Sequence, residues 1–130
     1  MSELDVAAVA AAGDAIVTVD REGTITSWNP TAERLLGHSV ADAVGQTLAL
    51  IIPGEHRARH VAAFHQAMDV GTLAHDGRPA HVEATCASGE TLALVFTLGL
   101  LKDAGGAVTG AVALLRTARE PISFIEAGDA

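Results

Sequence analysis

After Gly77 the hydrophobic period of this chain changes from 3.6 residues to 2, the repeats of a helix face and of a strand face. Upstream, His60, Phe64, Ala67 and Met68 recur at i, i+4, i+7 and i+8, while Arg57, Arg59 and Gln66 fall off that stripe. This predicts a helix over residues 55–70, the longest in the chain, ended by Gly71. Downstream, from Ala80 to Cys86, polar residues take the odd numbers and apolar ones the even numbers, the pattern of a half-buried strand. Turns at Ser88-Gly89-Glu90 and Asp103-Ala104-Gly105-Gly106 then lead into two more strands, Thr91 to Leu101 and Val108 to Leu115.

The upstream half opens with strong helix formers over residues 3–12, apolar at Leu4, Val6 and Val9 and stopped by Gly13: a short leader helix. Ala15 to Val19 and Thr24 to Trp28 flank the turn Asp20-Arg21-Glu22-Gly23 and are expected to pair as a hairpin. Asn29 is a good N-cap and Pro30 a good first helical residue, with Glu33 in the first turn and Gly37 after the last, so a helix is predicted over 30–36. Ser39-Val40-Ala41-Asp42 has the spacing of a second cap, closed by Gly45, and the apolar run Leu48 to Ile52 halts at Pro53-Gly54. The expected order is two strands, a series of helices, then three antiparallel strands. That is an α+β domain over 13–118, with a leader helix at 1–12 and a loose tail at 119–130.

One domain suits 130 residues of which 49% are apolar. A net charge of −8, spread along the chain, argues against a nucleic-acid phosphate backbone as a partner. With Cys86 alone there is no internal disulfide and no cysteine cluster for a metal. Apolar stretches are interrupted before the ~18 residues of a membrane helix, and the start lacks the basic residues of a secretion signal. A soluble cytoplasmic protein is expected. Large core fillers are few, namely Trp28, Phe64, Phe96 and Phe124. Either small residues pack the core closely, or the core is under-filled around a ligand.

Several stretches together resemble the PAS family: Asp14 to Asp20, Gly23-Thr24-Ile25, the run Trp28-Asn29-Pro30-Thr31-Ala32-Glu33-Arg34-Leu35-Leu36-Gly37, Val44-Gly45-Gln46, Ile52-Pro53, Ser88-Gly89-Glu90 and Gly110. The resemblance implies a five-stranded antiparallel sheet and connecting helices enclosing a pocket. It implies a sensory or regulatory module for oxygen, redox state, light or metabolites, including regulation of transcription, or a module that pairs with other domains, rather than an enzyme. No nucleophile elbow, phosphate loop or complete triad contradicts that.

Pro53-Gly54-Glu55-His56-Arg57-Ala58-Arg59-His60 is similar to the helix of haem-binding PAS oxygen sensors, in which the histidine of Arg-x-Arg-His ligates iron. The resemblance implies haem b held by His60, for gas or redox sensing. Phe64 and Met68 would share its stripe, Leu94 and Phe96 would face it from the sheet, and Arg57, Arg59, His65 and His75 would meet the propionates. The distal arginine of the rhizobial sensors has no counterpart near Ala80, and Arg78 stands just before that strand. The alternatives are a cofactor-free dimerisation or docking module, in which His60 is a core side chain, and a pocket for a small organic metabolite. His56 and His60 have zinc-chelating spacing, but no third ligand accompanies them. The light-sensing branch needs a cysteine that Thr47 to Ile52 lacks, and Cys86 reads as a small inward hydrophobe.

Residues 91–101 are apolar on both faces, Leu92, Leu94, Phe96 and Leu98 on one and Ala93, Val95 and Leu101 on the other. The second face needs a cover, expected from the leader helix, its own or that of a second copy in a homodimer. The Asp-x-Thr ending of many PAS domains is absent from Leu115-Arg116-Thr117-Ala118-Arg119. The chain opens on a methionine and carries no effector, so it is expected to dock on a separate signalling protein or to belong to a longer sensor.

Overall fold

In the computed structural model, residues 13–72 and 79–117 are described; the expected leader helix, the tail, His75 and Arg78 lie outside them. Ten elements follow one another: β1 (Ala15–Asp20), β2 (Ile25–Trp28), α1 (Pro30–Leu36), α2 (Val40–Ala43), 3-10 turns at Leu48–Leu50 and Gly54–His56, α3 (Arg57–Val70), β3 (Ala80–Thr85), β4 (Thr91–Lys102) and β5 (Val108–Thr117). The five strands form one antiparallel sheet in the order β2-β1-β5-β4-β3. The first and last strands of the chain thus lie side by side at its centre, with both hairpins spread outward.

Register assigns the two faces. Val17 pairs with Ala113 and Ala15 with Leu115, Ala113 pairs with Leu98 and Leu115 with Phe96, and Val82 pairs with Leu94. Partners across a ladder point to one side, so these residues make the inner face, under the helices. The outer face carries Ile16, Leu114 and Thr97 in one row and Thr18, Val112 and Gly99 in the next. Gly110 is required at the β1–β5 ladder because a side chain there would collide with the Val19 carbonyl.

The hairpin-to-helix junction is built around Asn29, a buried polar side chain. Its Oδ1 accepts from Ala32 N at 3.0 Å, as an N-cap, and from Ile16 N at 2.9 Å. Its Nδ2 donates to the Asp14 carbonyl at 3.0 Å. One side chain therefore starts α1 and fastens that start to β1. Pro30 fills a position whose N–H has no helical partner, and Gly37 closes the helix at φ 86°, left-handed backbone suited to glycine. At α2, Ser39 caps Asp42 N as expected, and Glu33 of α1 accepts from the Val40 N–H at 2.7 Å. Trp28, almost fully buried, donates from Nε1 to the His38 carbonyl at 2.9 Å.

The long helix begins two residues later than its periodicity suggests, because Gly54–His56 forms a 3-10 turn first. Its stripe is buried unevenly. Ala67 and Met68 are buried and Phe64 half-buried, whereas His60 is exposed. The sequence expectation of an inward His60 is corrected here: α3 meets the sheet at its C-terminal end, where Gly71 approaches Val108 and Asp69 approaches Arg21, and stands away from it toward its N-terminal end.

Removing the Asn29 side chain strands two N–H donors and one carbonyl in a buried setting, so Asn29→Ala is expected to lower stability by at least about 1–3 kcal/mol. Asn29→Asp keeps the acceptor but turns a carboxylate toward the Asp14 carbonyl, and should fall between wild type and alanine. Urea denaturation of the three proteins checks the order.

Candidate functional site

Where α3 parts from the sheet, a cavity of about 630 Å³ opens, within the usual range for small-molecule sites. The sheet supplies Val17, Val82, Ala84, Phe96, Leu98, Ala113 and Leu115, all on its inner face. Leu48, Ile51 and Ile52 close one side, and α3 contributes His60, Ala63, Phe64, Gln66, Ala67 and Val70, with Thr72 beyond it. Ala63, Ala67, Ala84 and Ala113 are short where larger side chains would meet across the gap. Under-filling and close packing thus both occur, in different halves: α1 and β1 are packed tightly through Ala15, Ala32 and Leu36, each without exposed surface, while the half under α3 is open.

Of the expected site residues, the structure brings His60, Phe64 and Phe96 together on the cavity wall. Met68 and Leu94 belong instead to the packed core, at 3% and 0% exposure. Arg57, Arg59 and His65 are exposed and form no part of the described wall, because they project from the solvent side of the helix. Arg57 Nε donates to the Ile52 carbonyl at 3.0 Å, securing the start of α3. Arg59 donates to His56 Nδ1 at 3.2 Å, and the His56 and His60 rings stand edge to face at 6.3 Å between centroids. Among the described residues no group of three metal-ligating side chains assembles. The sequence missed Ala63, Val70 and Thr72 on the helix side and the alanines of the sheet. Small side chains signal a void only once the facing surfaces are known.

Three causes act together on His60 to lower the pKa of its imidazole below the ordinary histidine value: partial burial first, then the charges of Arg59 and His56. The ring is therefore neutral at pH 7, with a lone pair free to bind a metal or accept a hydrogen bond. Cys86 follows β3, half-buried, with Sγ directed to the Leu35 carbonyl at 3.8 Å. Burial, and then Glu90, push its thiol up, so it is a poor nucleophile. His81 is exposed on the solvent side of β3.

The family model described as the PAS fold matches residues 3–118. The chain belongs to the PAS family. Over 47 residues it is 38% identical to the sensor protein FixL of Bradyrhizobium diazoefficiens, a stretch that is 36% of this chain and 9% of FixL. The PAS domain of a Colwellia psychrerythraea protein superposes with a TM-score of 0.75 at 20% identity, covering 88% of this chain and 94% of that one. The PAS domain of the Cronobacter turicensis quorum-sensing receptor RpfR, in complex with C12:0, superposes with a TM-score of 0.64 at 17% identity, covering 85% and 99%. This PAS domain is thus similar in fold to sensory modules, and no helix among its described residues is long and apolar enough to cross a membrane.

The lowered His60 pKa fixes the sign of a pH effect. Above the ordinary histidine value of about 6.5 the ring is neutral both folded and unfolded. As pH falls below that value the unfolded chain takes the proton first, and stability is lost down through the folded-state pKa. Between pH 7 and pH 5 the urea midpoint of wild type should fall more than that of His60→Gln. Parallel pH profiles would show that this imidazole titrates alike in both states.

Proposed function

We propose that this PAS domain is a non-catalytic cytoplasmic input module that takes up a ligand in the cavity between the inner sheet face and α3, and that haem b, held through His60, is that ligand. One observation carries the reading: His60 is the only histidine on the described wall of a largely apolar cavity, and its environment favours the neutral imidazole. Such a donor suits an axial bond to iron, while apolar walls limit water around the macrocycle. Phe64, Phe96 and Leu98 offer the flanking contact surfaces. Haem would supply the redox- or gas-responsive centre; the chain's own residues supply the axial nitrogen, the apolar walls and a link from α3 to the sheet. The partial similarity to FixL supports the same reading.

A small organic metabolite is the second reading. It is favoured by the wall itself, which carries no described arginine or lysine to meet propionates. Titrating haemin into wild type, His60→Ala and His65→Ala separates the two. Under the haem reading wild type and His65→Ala acquire an intense, matching absorption band and His60→Ala does not. Identical spectra for all three rule out His60 as the axial ligand. A protein that refuses haemin altogether returns the chain to metabolite binding or cofactor-free docking.

For partners, the reading is a homodimer formed through residues 1–12 and the outer sheet face, signalling to a separate or downstream protein without direct contact with nucleic acid. Its support is the apolar content of that face, where Ile16, Val95, Val112 and Leu101 are only half-buried and Leu114 is 37% exposed. Deleting residues 1–12 should shift the intact protein from dimer toward monomer in sedimentation and lower its melting temperature. A monomeric intact protein, unchanged in melting by the deletion, would overturn this.

A further inference from the structure

The two edges of the sheet are finished differently. At β2 the outer side is occupied by a later segment: Ile25 N donates to the Gln46 carbonyl at 2.7 Å, Gly45 N donates to the Ile25 carbonyl at 2.9 Å, and Thr24 bridges Thr47. At β3, the other edge strand, one backbone bond runs outward among the described residues, from Thr85 N to the Ile51 carbonyl at 2.8 Å. Backbone groups alternate in direction along a strand. Cys86 N turns toward β4, meeting the Glu90 carbonyl at 2.8 Å, so the N–H and C=O groups of His81 and Glu83 share the outward direction of Thr85. Pro79, just before the strand, has no N–H. The open edge therefore consists of His81 and Glu83. Both are exposed, and both carry their side chains on the outer face, where they pair with Val95 and Ala93 of β4.

We propose that β3 pairs antiparallel with β3 of a second copy about a two-fold axis at Val82, so that the two sheets become one. His81 of each copy then stands opposite the partner's Glu83, and each such pair exchanges two backbone hydrogen bonds. Side chains directly opposite lie about 5 Å apart at Cβ, and an imidazole N–H donates to a carboxylate, so the edge is complementary to itself. The neighbouring symmetric registers are worse. Centring on His81 opposes imidazole to imidazole and sets Pro79, which has no donor, against Glu83. Centring on Glu83 opposes two carboxylates and sets His81 against Thr85, whose N–H Ile51 already holds. Val82 lies half-buried on the inner face and meets its own copy at the axis. Val82 and Ala84 also line the cavity. The contact thus joins the β3 walls of two cavities, and it is separate from one made by the outer face and residues 1–12.

Two experiments on the full chain test the pairing. At the axis, a non-hydrogen-bonded antiparallel pair brings Cα atoms to about 4.5 Å, within disulfide reach, whereas Ala80 would face Ala84 and stand about 14 Å from its own copy. Under mild oxidation Val82→Cys should form a covalent dimer and Ala80→Cys should not, with wild type, whose one cysteine is Cys86, as background. A contact through the outer face alone leaves both introduced thiols on the other side of the sheet and cross-links neither. In sedimentation, His81→Glu and Glu83→Lys should each self-associate about 10-fold more weakly than wild type, because each removes the opposed acid and base from both pairs. An equimolar mixture of the two should recover wild-type association, since the new carboxylate at position 81 meets the new ammonium at position 83 and the native His81 and Glu83 meet at the other pair. Both side chains are exposed, so the fold should survive, and circular dichroism verifies this. The pairing is overturned if Val82→Cys cross-links no more than Ala80→Cys, or if the mixture associates no better than either variant alone. A wild type that stays monomeric at high concentration overturns it as well.

Discussion

The junction between the first hairpin and the first helix depends on one buried side chain, Asn29. A helix start leaves N–H groups without partners, and a strand end leaves backbone groups without a ladder. The Asn29 amide answers both, accepting from α1 and β1 and donating to Asp14. An aspartate could cap the helix but could not donate to Asp14, and a serine hydroxyl is too short to span the three partners, whereas the amide carries its acceptor and its donor on separate atoms. The junction sets where α1 lies on β1, and β1 sits between β2 and β5 at the middle of the sheet. The last strand of the chain joins the first through its own ladder, from Ala15–Leu115 to Asp20–Gly110.

From that fixed half the structure becomes less constrained toward α3. The helix is anchored to the sheet near its C-terminal end by Ala67 and Met68, and by Phe64 against the β1–β2 turn at Gly23. The exposed Arg21–Asp69 pair at 3.9 Å adds little. The opposite end rests on a 3-10 turn and the Arg57 bond to Ile52. The cavity is lined along the length of the helix, from His60 to Val70. Such an element can couple occupancy to structure, since a ligand that fills the gap gains contacts only where the helix accommodates it.

The site combines a largely apolar wall with one imidazole on α3. Short aliphatic side chains leave room that water fills poorly. Directly beside them stands one imidazole, that of His60. Partial burial and neighbouring charge lower the pKa of the His60 ring, which favours the neutral form that can ligate a metal.

The sequence by itself determined the elements and their order. Asn29-Pro30 and Gly37 mark the bounds of α1, the alternation from Ala80 marks β3, and the turns at Ser88-Gly89-Glu90 and Asp103 to Gly106 bound β4. These are local matters of backbone preference and side-chain period, which neighbouring residues settle among themselves. It also named His60, Phe64 and Phe96 as residues of one site. It could not tell that His60 stands exposed at a rim while Met68, on the same stripe, is buried, or that Leu94 is core while Phe96 and Leu98 line a void. A helical period says which residues share a face. How far that face stands from the sheet is set by packing between segments far apart in the chain, which no local period records.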